Sequence, residues 1–210
     1  MEFVHVNAAD IPARDAYSLL LNCVAPRPIA FVSSMSPNGD HNLAPFSFFT
    51  AGGANPPSVV FSPTSTRSGE PKDTLQNIRA LGEYVINVVT YAMGEAMNVT
   101  SVEYPYGVSE WDIAGFTPAP CVNVSVPRVM ESPLAMECKL FQIVPHGAGH
   151  MAATYVIGEV VAFHIAEYLL DGATIVPSRV EYIARMSGDW YARANEGSMF
   201  EMARPPRPVE

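Results

Sequence analysis

The residues best suited to chemistry lie close together in "SPTSTRSGEPKDTLQNIRAL", Ser62 to Leu81. Hydroxyls of Ser62, Ser65, Thr66 and Thr74 gather there with Arg67 and with Lys72, one of only two lysines in the chain. A helix is expected to follow. Asp73-Thr74-Leu75-Gln76 reads as a capping box with Asp73 as the N-cap acid. Leu75, Ile78 and Leu81 fall on one helical face, and Gly82 is placed to end the helix in a left-handed turn. A helix start leaves backbone N–H groups without partners and carries partial positive charge. With the hydroxyls and two cations beside it, such a start can hold a phosphate. The same residue types also make an ordinary solvated, capped loop, and on their own they do not choose.

Other chemical patterns fail for stated reasons. Gly147-Ala148-Gly149-His150-Met151-Ala152 fits the relaxed dinucleotide-binding spacing, yet strand-like sequence follows where that motif needs a helix. His146 and His150 are four apart with glycines between them, which disfavours a helical metal pair. Cys23, Cys121 and Cys138 show no Cys-x-x-Cys spacing, so neither a disulfide framework nor a zinc site is indicated, and no metal is expected. No Gly-x-Ser-x-Gly elbow supports acyl transfer, and no catalytic side chain is singled out. Glu131, Glu137 and Glu159 read as solvated or edge charges.

The elements that must position these residues are mostly strands. "DIPARDAYSLLLN" opens as a short helix. "PIAFVSSM" and "HNLAPFSFF" follow as short apolar runs across an Asn38-Gly39 turn, the strongest short-range hairpin signal. "PPSVVFSP" and the β-branched "GEYVINVVT" are further strands, and "YAMGEAMNVTS" is helical with Met93 and Met97 as packing residues. From about Val102 to Pro127 the chain reads as a proline-rich surface excursion. "LAMECKLFQIV" and "TYVIGEVVAFHI" are long strands joined by a glycine-rich hairpin. Short connections leave no room for crossover helices, which favours an antiparallel sheet closing into a barrel, in one domain over residues 1–210.

Composition sets the outer limits. A net charge of −9 argues against nucleic acid or an anionic membrane as the main partner. Hydrophobic content of 49% with 16% charged residues argues for a packed globule with part of its surface covered, most simply by a second copy. No run approaches a membrane span, and the first residues lack the basic start and apolar core of a signal peptide, so a reduced cytoplasmic setting is expected.

Taken in order, "PRPIAFVSSMSPNGDHNLAPFSFF", "NPPSVVFSP", "KDTLQNIRALGEYVIN", "AMNVTS", "PRVMESPLAMECKL", "VIGEVVAFHI" and "RMSGDWY" closely resemble the flavin reductase-like family of FMN-binding split barrels. That family includes flavoredoxin and the flavin-reducing component of two-component monooxygenases, and the likeness runs from about Tyr17 to Tyr191. The resemblance implies a mostly β fold, a six-stranded antiparallel Greek-key split barrel with a few peripheral helices. It implies a homodimer with FMN near the subunit interface and NADH or NADPH as electron donor. A partner monooxygenase or other acceptor would take the electrons; an electron carrier without nicotinamide turnover is the alternative. Arg67, Lys72, Asp73 and Thr74 match the family's phosphate-side segment, with Asp73 ordering the turn. Ser33 and Ser34 stand where the family has a Ser-Thr pair facing the flavin, and Ser47, Phe48, Phe49 and Thr50 border its ring. Strand alternation lets only about half of those four face the ring. Arg27 is expected to hold the mouth of the barrel or reach the cofactor, Arg185 to approach the neighbouring subunit's site, and His150 to sit on the nicotinamide side.

Overall fold

The computed structural model describes residues 1–66, 68–104 and 108–205. After helix α1 (Ala13–Cys23), the chain forms β1 (Ala30–Met35), β2 (His41–Phe46), β3 (Phe49–Ala54) and β4 (Pro57–Phe61). Helix α2 (Asp73–Leu81) leads into β5 (Glu83–Val88), then α3 (Gly94–Val99) and α4 (Glu110–Ala114). The two-residue strands β6 (Pro118–Ala119) and β7 (Arg128–Val129) pair with each other, and β8 (Leu134–His146) and β9 (Ala153–Ile165) form a long hairpin. The last hairpin is made by Tyr182–Arg185 and Tyr191–Ala194.

One antiparallel sheet runs in the order β2-β1-β5-β8-β9-β4-β3. Its two edges, β2 and β3, are neighbours in sequence, joined only by Ser47 and Phe48. In a flat sheet seven strands wide those edges would stand about 29 Å apart at about 4.8 Å per strand step. Three Cα steps reach at most about 11 Å. The sheet therefore curls until its edges almost meet, which makes a barrel left split at that seam.

The count is seven strands rather than the expected six. "HNLAPFSFF" reads as one strand because apolar residues continue through it, but the chain bends at Ser47-Phe48 and pairs first with β1 and then with β4. The barrel interior is filled by Ala30, Val32, Phe46, Val59, Phe61, Tyr84, Ile86 and Val156, with Leu75 and Ile78 of α2 packed against them.

Three local expectations are corrected. The N-cap of α2 is Lys72, in extended conformation and without a side-chain cap, so Asp73 is the first helical residue and the capping box is absent. Gln76 instead turns its amide toward Pro71 O (3.1 Å) and Asp73 Oδ1 (3.4 Å). The segment after Val102 is also more than a surface excursion, since its own Trp111, Phe116, Val124 and Val126 are buried. Glu137 is no solvated charge: it is fully buried on β8.

Helix α2 ends at Gly82 as expected, with φ of 70° and its N–H donating to Ile78 O (2.9 Å). A Cβ there would meet no atom within 4 Å, so only the backbone conformation opposes it. Gly82→Ala is expected to cost about 1 kcal/mol of stability, the penalty of a left-handed alanine, read as a shift in the urea midpoint.

Candidate functional site

The N-terminus of α2 opens onto a cavity of about 430 Å³. Its walls are the seam between β2 and β3 (Phe46, Ser47, Phe48), the loop after β4 (Ser62, Thr64, Thr66, Ser68), the start of α2 (Lys72, Asp73, Thr74) and residues Thr100–Tyr104 with Glu110. The volume suits a small organic ligand. The seam and the helix start converge because the barrel closes there, and neither wall is complete without the other.

Three hydroxyls in this wall have their protons free. Thr74 Oγ1 accepts from Asn42 Nδ2 (2.9 Å), and Ser47 Oγ accepts from Arg27 Nε (3.3 Å). A hydroxyl that accepts at its lone pair keeps its own O–H to donate elsewhere. Ser62 Oγ is buried and has no hydrogen-bond partner among the described residues. An unpartnered buried hydroxyl costs about 1–3 kcal/mol, which a ligand acceptor would offset. Asn42 is held in turn beside Ser34, whose Oγ accepts from Asn42 (3.3 Å) and from Asn77 of α2 (3.2 Å).

Charge in the cavity is mixed. Lys72 Nζ lies 3.3 Å from Glu103 Oε1, so the cation faces a competitor before any ligand arrives. Glu110 is partly desolvated, and burial raises its pKa, which reduces the negative charge it adds. A second cavity of about 700 Å³ adjoins the first and shares Asn42, Asp73 and Glu110 with it. Its lining also has Asp40 and Asp112 but no lysine or arginine among the described residues, so a phosphate dianion fits the first cavity better.

Of the residues singled out from sequence, Ser47, Phe48, Ser62, Lys72, Asp73 and Thr74 line the cavity together, and Thr66 joins them. Arg67 lies outside the described residues. Ser33 and Ser34 are fully buried behind the wall: Ser33 Oγ donates to Pro127 O (2.6 Å), and Ser34 reaches the cavity only through Asn42. Phe49 packs against the barrel core, and Thr50 is exposed with its hydroxyl on Ala51 O (3.1 Å). Neither lines the cavity.

Arg27 does not reach the cavity either. Its guanidinium donates to the carbonyls of Leu21, Val24 and Met186, each at 2.6 Å, and its Nε supports Ser47. Arg185 pairs through its backbone with Arg27 and lays its guanidinium over the Tyr191 ring at 4.5 Å. His150, at the tip of the β8–β9 hairpin, places Nδ1 3.3 Å from Thr66 O, at the rim rather than in the wall.

Sequence reading passed over Asn42, Glu103 and Glu110. Asn42 sits in β2, where its approach to α2 depends on the fold, and the acids lie in the segment read as a surface excursion. No thiol nucleophile is poised here. Burial pushes the Cys138 thiol up to about 12, and burial followed by the nearby Glu137 carboxylate pushes Cys121 up to about 11.

Known proteins resemble the chain along nearly all of its length. The family model described as flavin reductase like domain matches residues 22–182. An uncharacterized protein of Halalkalibacterium halodurans is 37% identical over 202 residues, covering 95% of this chain and 96% of that one. Among solved structures, nitrilotriacetate monooxygenase component B from Bacillus cereus superposes with a TM-score of 0.90 at 35% identity, covering 96% of this chain and all (100%) of that one. The 2-nitrobenzoate 2-nitroreductase NbaA of Pseudomonas fluorescens gives a TM-score of 0.86 at 29% identity, with 99% and 98% covered. A curled antiparallel sheet with a hydroxyl-rich cavity at its seam thus accompanies a match over most of the chain: this protein belongs to the flavin reductase-like family.

Proposed function

We propose that the protein binds FMN in the cavity at the start of α2 and works as an NAD(P)H-dependent flavin reductase. The observation that carries this reading is the set of free hydroxyl donors, Ser47, Ser62 and Thr74, converging with Lys72 and the helix N-terminus. Such donors suit a phosphate and the carbonyl oxygens of a flavin. Bound FMN would supply the hydride-accepting N5 that no side chain in the cavity provides.

The side chains then bind and orient. Lys72 and the N–H groups opening α2 would offset phosphate charge, and Thr74 and Ser62 would be free to donate to it. Asn42 holds Thr74, and Arg27 holds Ser47, so both hydroxyls keep fixed directions. Phe46 and Phe48 give the seam its apolar wall and exclude water from that side. Hydride transfer to a bound flavin requires no general base from the protein.

The name of the Bacillus cereus neighbour, a monooxygenase component, supports a partner monooxygenase as electron acceptor. A homodimer with FMN near its interface accords with the large apolar side chains left exposed, among them Leu19, Leu20, Phe141, Phe163 and Trp190. Among the described residues no helix is long and apolar enough to cross a membrane, which fits a cytoplasmic setting.

The visible spectrum of the purified protein, followed under anaerobic addition of NADH and then NADPH, tests the reading. A flavin spectrum that bleaches with either nucleotide is expected. Bleaching only with a chemical reductant would assign an electron carrier instead. Failure to take up added FMN would remove the cofactor from this cavity.

Lys72→Ala is expected to weaken FMN binding about tenfold, the low end for a charge-assisted hydrogen bond, because Glu103 already competes for the lysine. In FMN-saturated protein the hydride-transfer rate should stay within about twofold, since the phosphate is remote from the reacting ring. Rapid mixing with fluorescence titration separates the two quantities.

A further inference from the structure

Cys121, Glu137 and His164 come together beneath the loop that precedes β7, and none of them lines the cavity. Their potential ligand atoms, a thiol sulfur, a carboxylate oxygen and an imidazole nitrogen, all lie within 4.8 Å of one another. They arrive from three parts of the chain. Glu137 and His164 stand on the paired strands β8 and β9, and Cys121 is brought over them by the loop, packed beside Val85, Val124, Val126 and Ala135. This patch lies on the face of the sheet opposite the barrel interior, since Met136 and Cys138, flanking Glu137, belong to the interior cluster.

Glu137 is the unusual member. A fully buried carboxylate costs several kcal/mol unless its lone pairs are used. Oε1 accepts from Val122 N (2.7 Å) and faces His164 Nε2 (2.6 Å), and Oε2 accepts from Asn123 N (2.6 Å). Two backbone N–H groups from the residues after Cys121 thus hold the carboxylate, and Asn123 Nδ2 to Val161 O (3.4 Å) ties the same loop to β9. Outer contacts of this kind orient the ligands of metal sites.

We propose that Cys121, Glu137 and His164 form a binding site for a zinc-class divalent cation that clasps the 121–123 loop to the sheet. The donor set is right in kind, since sulfur, nitrogen and oxygen ligands together suit zinc and leave hard, all-oxygen cations poorly served. The charge is right too: a dication with one thiolate, one carboxylate and a neutral imidazole sums to zero, so a buried site gains no net charge. His164 Nε2 would exchange its hydrogen bond to Glu137 for the metal, and the Cys121 thiol would give up its proton. His164 keeps 23% of its side chain exposed, which leaves a route in from solvent. Three protein ligands leave the fourth position to water. The rival is a metal-free hydrogen-bonded clasp made by the same side chains.

Metal-stripped full-length protein titrated with cobalt(II) decides between them. Difference spectra at constant flavin content should show a thiolate-to-cobalt charge-transfer band and tetrahedral visible bands that saturate at a single ion per chain. Zinc, measured by competition with a chromophoric chelator, should bind at least about 100-fold more weakly to Cys121→Ser and to His164→Gln, beyond what loss of an outer-sphere contact alone costs. Added zinc should raise the unfolding temperature of the parent protein and leave that of both variants unchanged. Flavin uptake in the two variants should match the parent, which keeps this result separate from the fate of the FMN reading. Because Glu137→Gln risks the fold, the two less buried positions carry the test. Absence of the charge-transfer band, or equal zinc affinity in parent and variants, overturns the site.

Discussion

Arg27→Met is expected to destabilise the protein by about 3 kcal/mol or more, as three carbonyl acceptors lose their charged donor at about 1–3 kcal/mol apiece. Arg27 is only 3% exposed, and among the described residues no carboxylate pairs with it. Carbonyl oxygens compensate its charge instead. Those of Leu21 and Val24 close the C-terminal end of α1, where the helix dipole is negative, and that of Met186 belongs to the turn of the C-terminal hairpin.

Methionine fills much of the volume but leaves three acceptors without their donor, at about 1–3 kcal/mol each where water cannot enter. Burial lowers the arginine's pKa, yet its ordinary value is far above neutrality, so the group stays charged and the loss is not a titration effect. Arg27→Lys should recover only part, because one ammonium cannot span carbonyls that a planar fork reaches together. Urea unfolding of the three proteins measures the series. A loss below about 1 kcal/mol for Arg27→Met would show that the carbonyls find other donors. Flavin affinity should fall in parallel, since Ser47 loses the contact that directs its hydroxyl into the cavity.

Gly158→Ala is the second large effect, at about 3 kcal/mol, the upper end of ordinary overpacking. Gly158 lies on β9 against the ring of Tyr84, which is fully buried in the barrel. A Cβ at 158 would overlap the Tyr84 hydroxyl oxygen and come within 2.8 Å of its Cζ and 3.1 Å of its Cε1. Neither side can yield easily: the glycine is held by pairing with both Val59 and Leu140, and the ring is packed against Phe61 at 5.6 Å.

Tyr84→Phe alone should cost about 1 kcal/mol or less, because among the described residues its buried hydroxyl finds no strong hydrogen-bond partner, only the neighbouring Cys138 thiol. In the Tyr84→Phe background, Gly158→Ala should cost about 1 kcal/mol less than in the parent, since the hydroxyl clash is gone while the ring-carbon contact persists. A double-mutant cycle of denaturation midpoints gives that coupling. Strict additivity would show that the strand moves away from the ring.

The features that follow from the order of residues are local ones. The helix after Lys72 with its stop at Gly82, the hairpin around Asn38-Gly39 and the long β8–β9 hairpin all follow from turn chemistry and from apolar periods within about ten residues. The hydroxyl-rich approach to α2 was legible in the same way, as residue types beside a helix start. Even there the cap fell one residue from its expected place, because adjacent polar residues can each begin a helix and packing selects one.

Which of these residues meet depends on the packed fold. A strand pattern states which side chains share a face but not what that face will touch. Closure of the sheet at Ser47-Phe48 set Asn42 against Thr74, 32 positions apart, and Arg27 against Met186, 159 apart. Packing elsewhere in the fold sent Ser33 and Ser34 behind the wall, gave Lys72 an acidic neighbour in Glu103, and buried Glu137 beside His164 and Cys121. The cavity and the proposed cation site exist only because distant segments are held in register, and no spacing along the chain encodes that register.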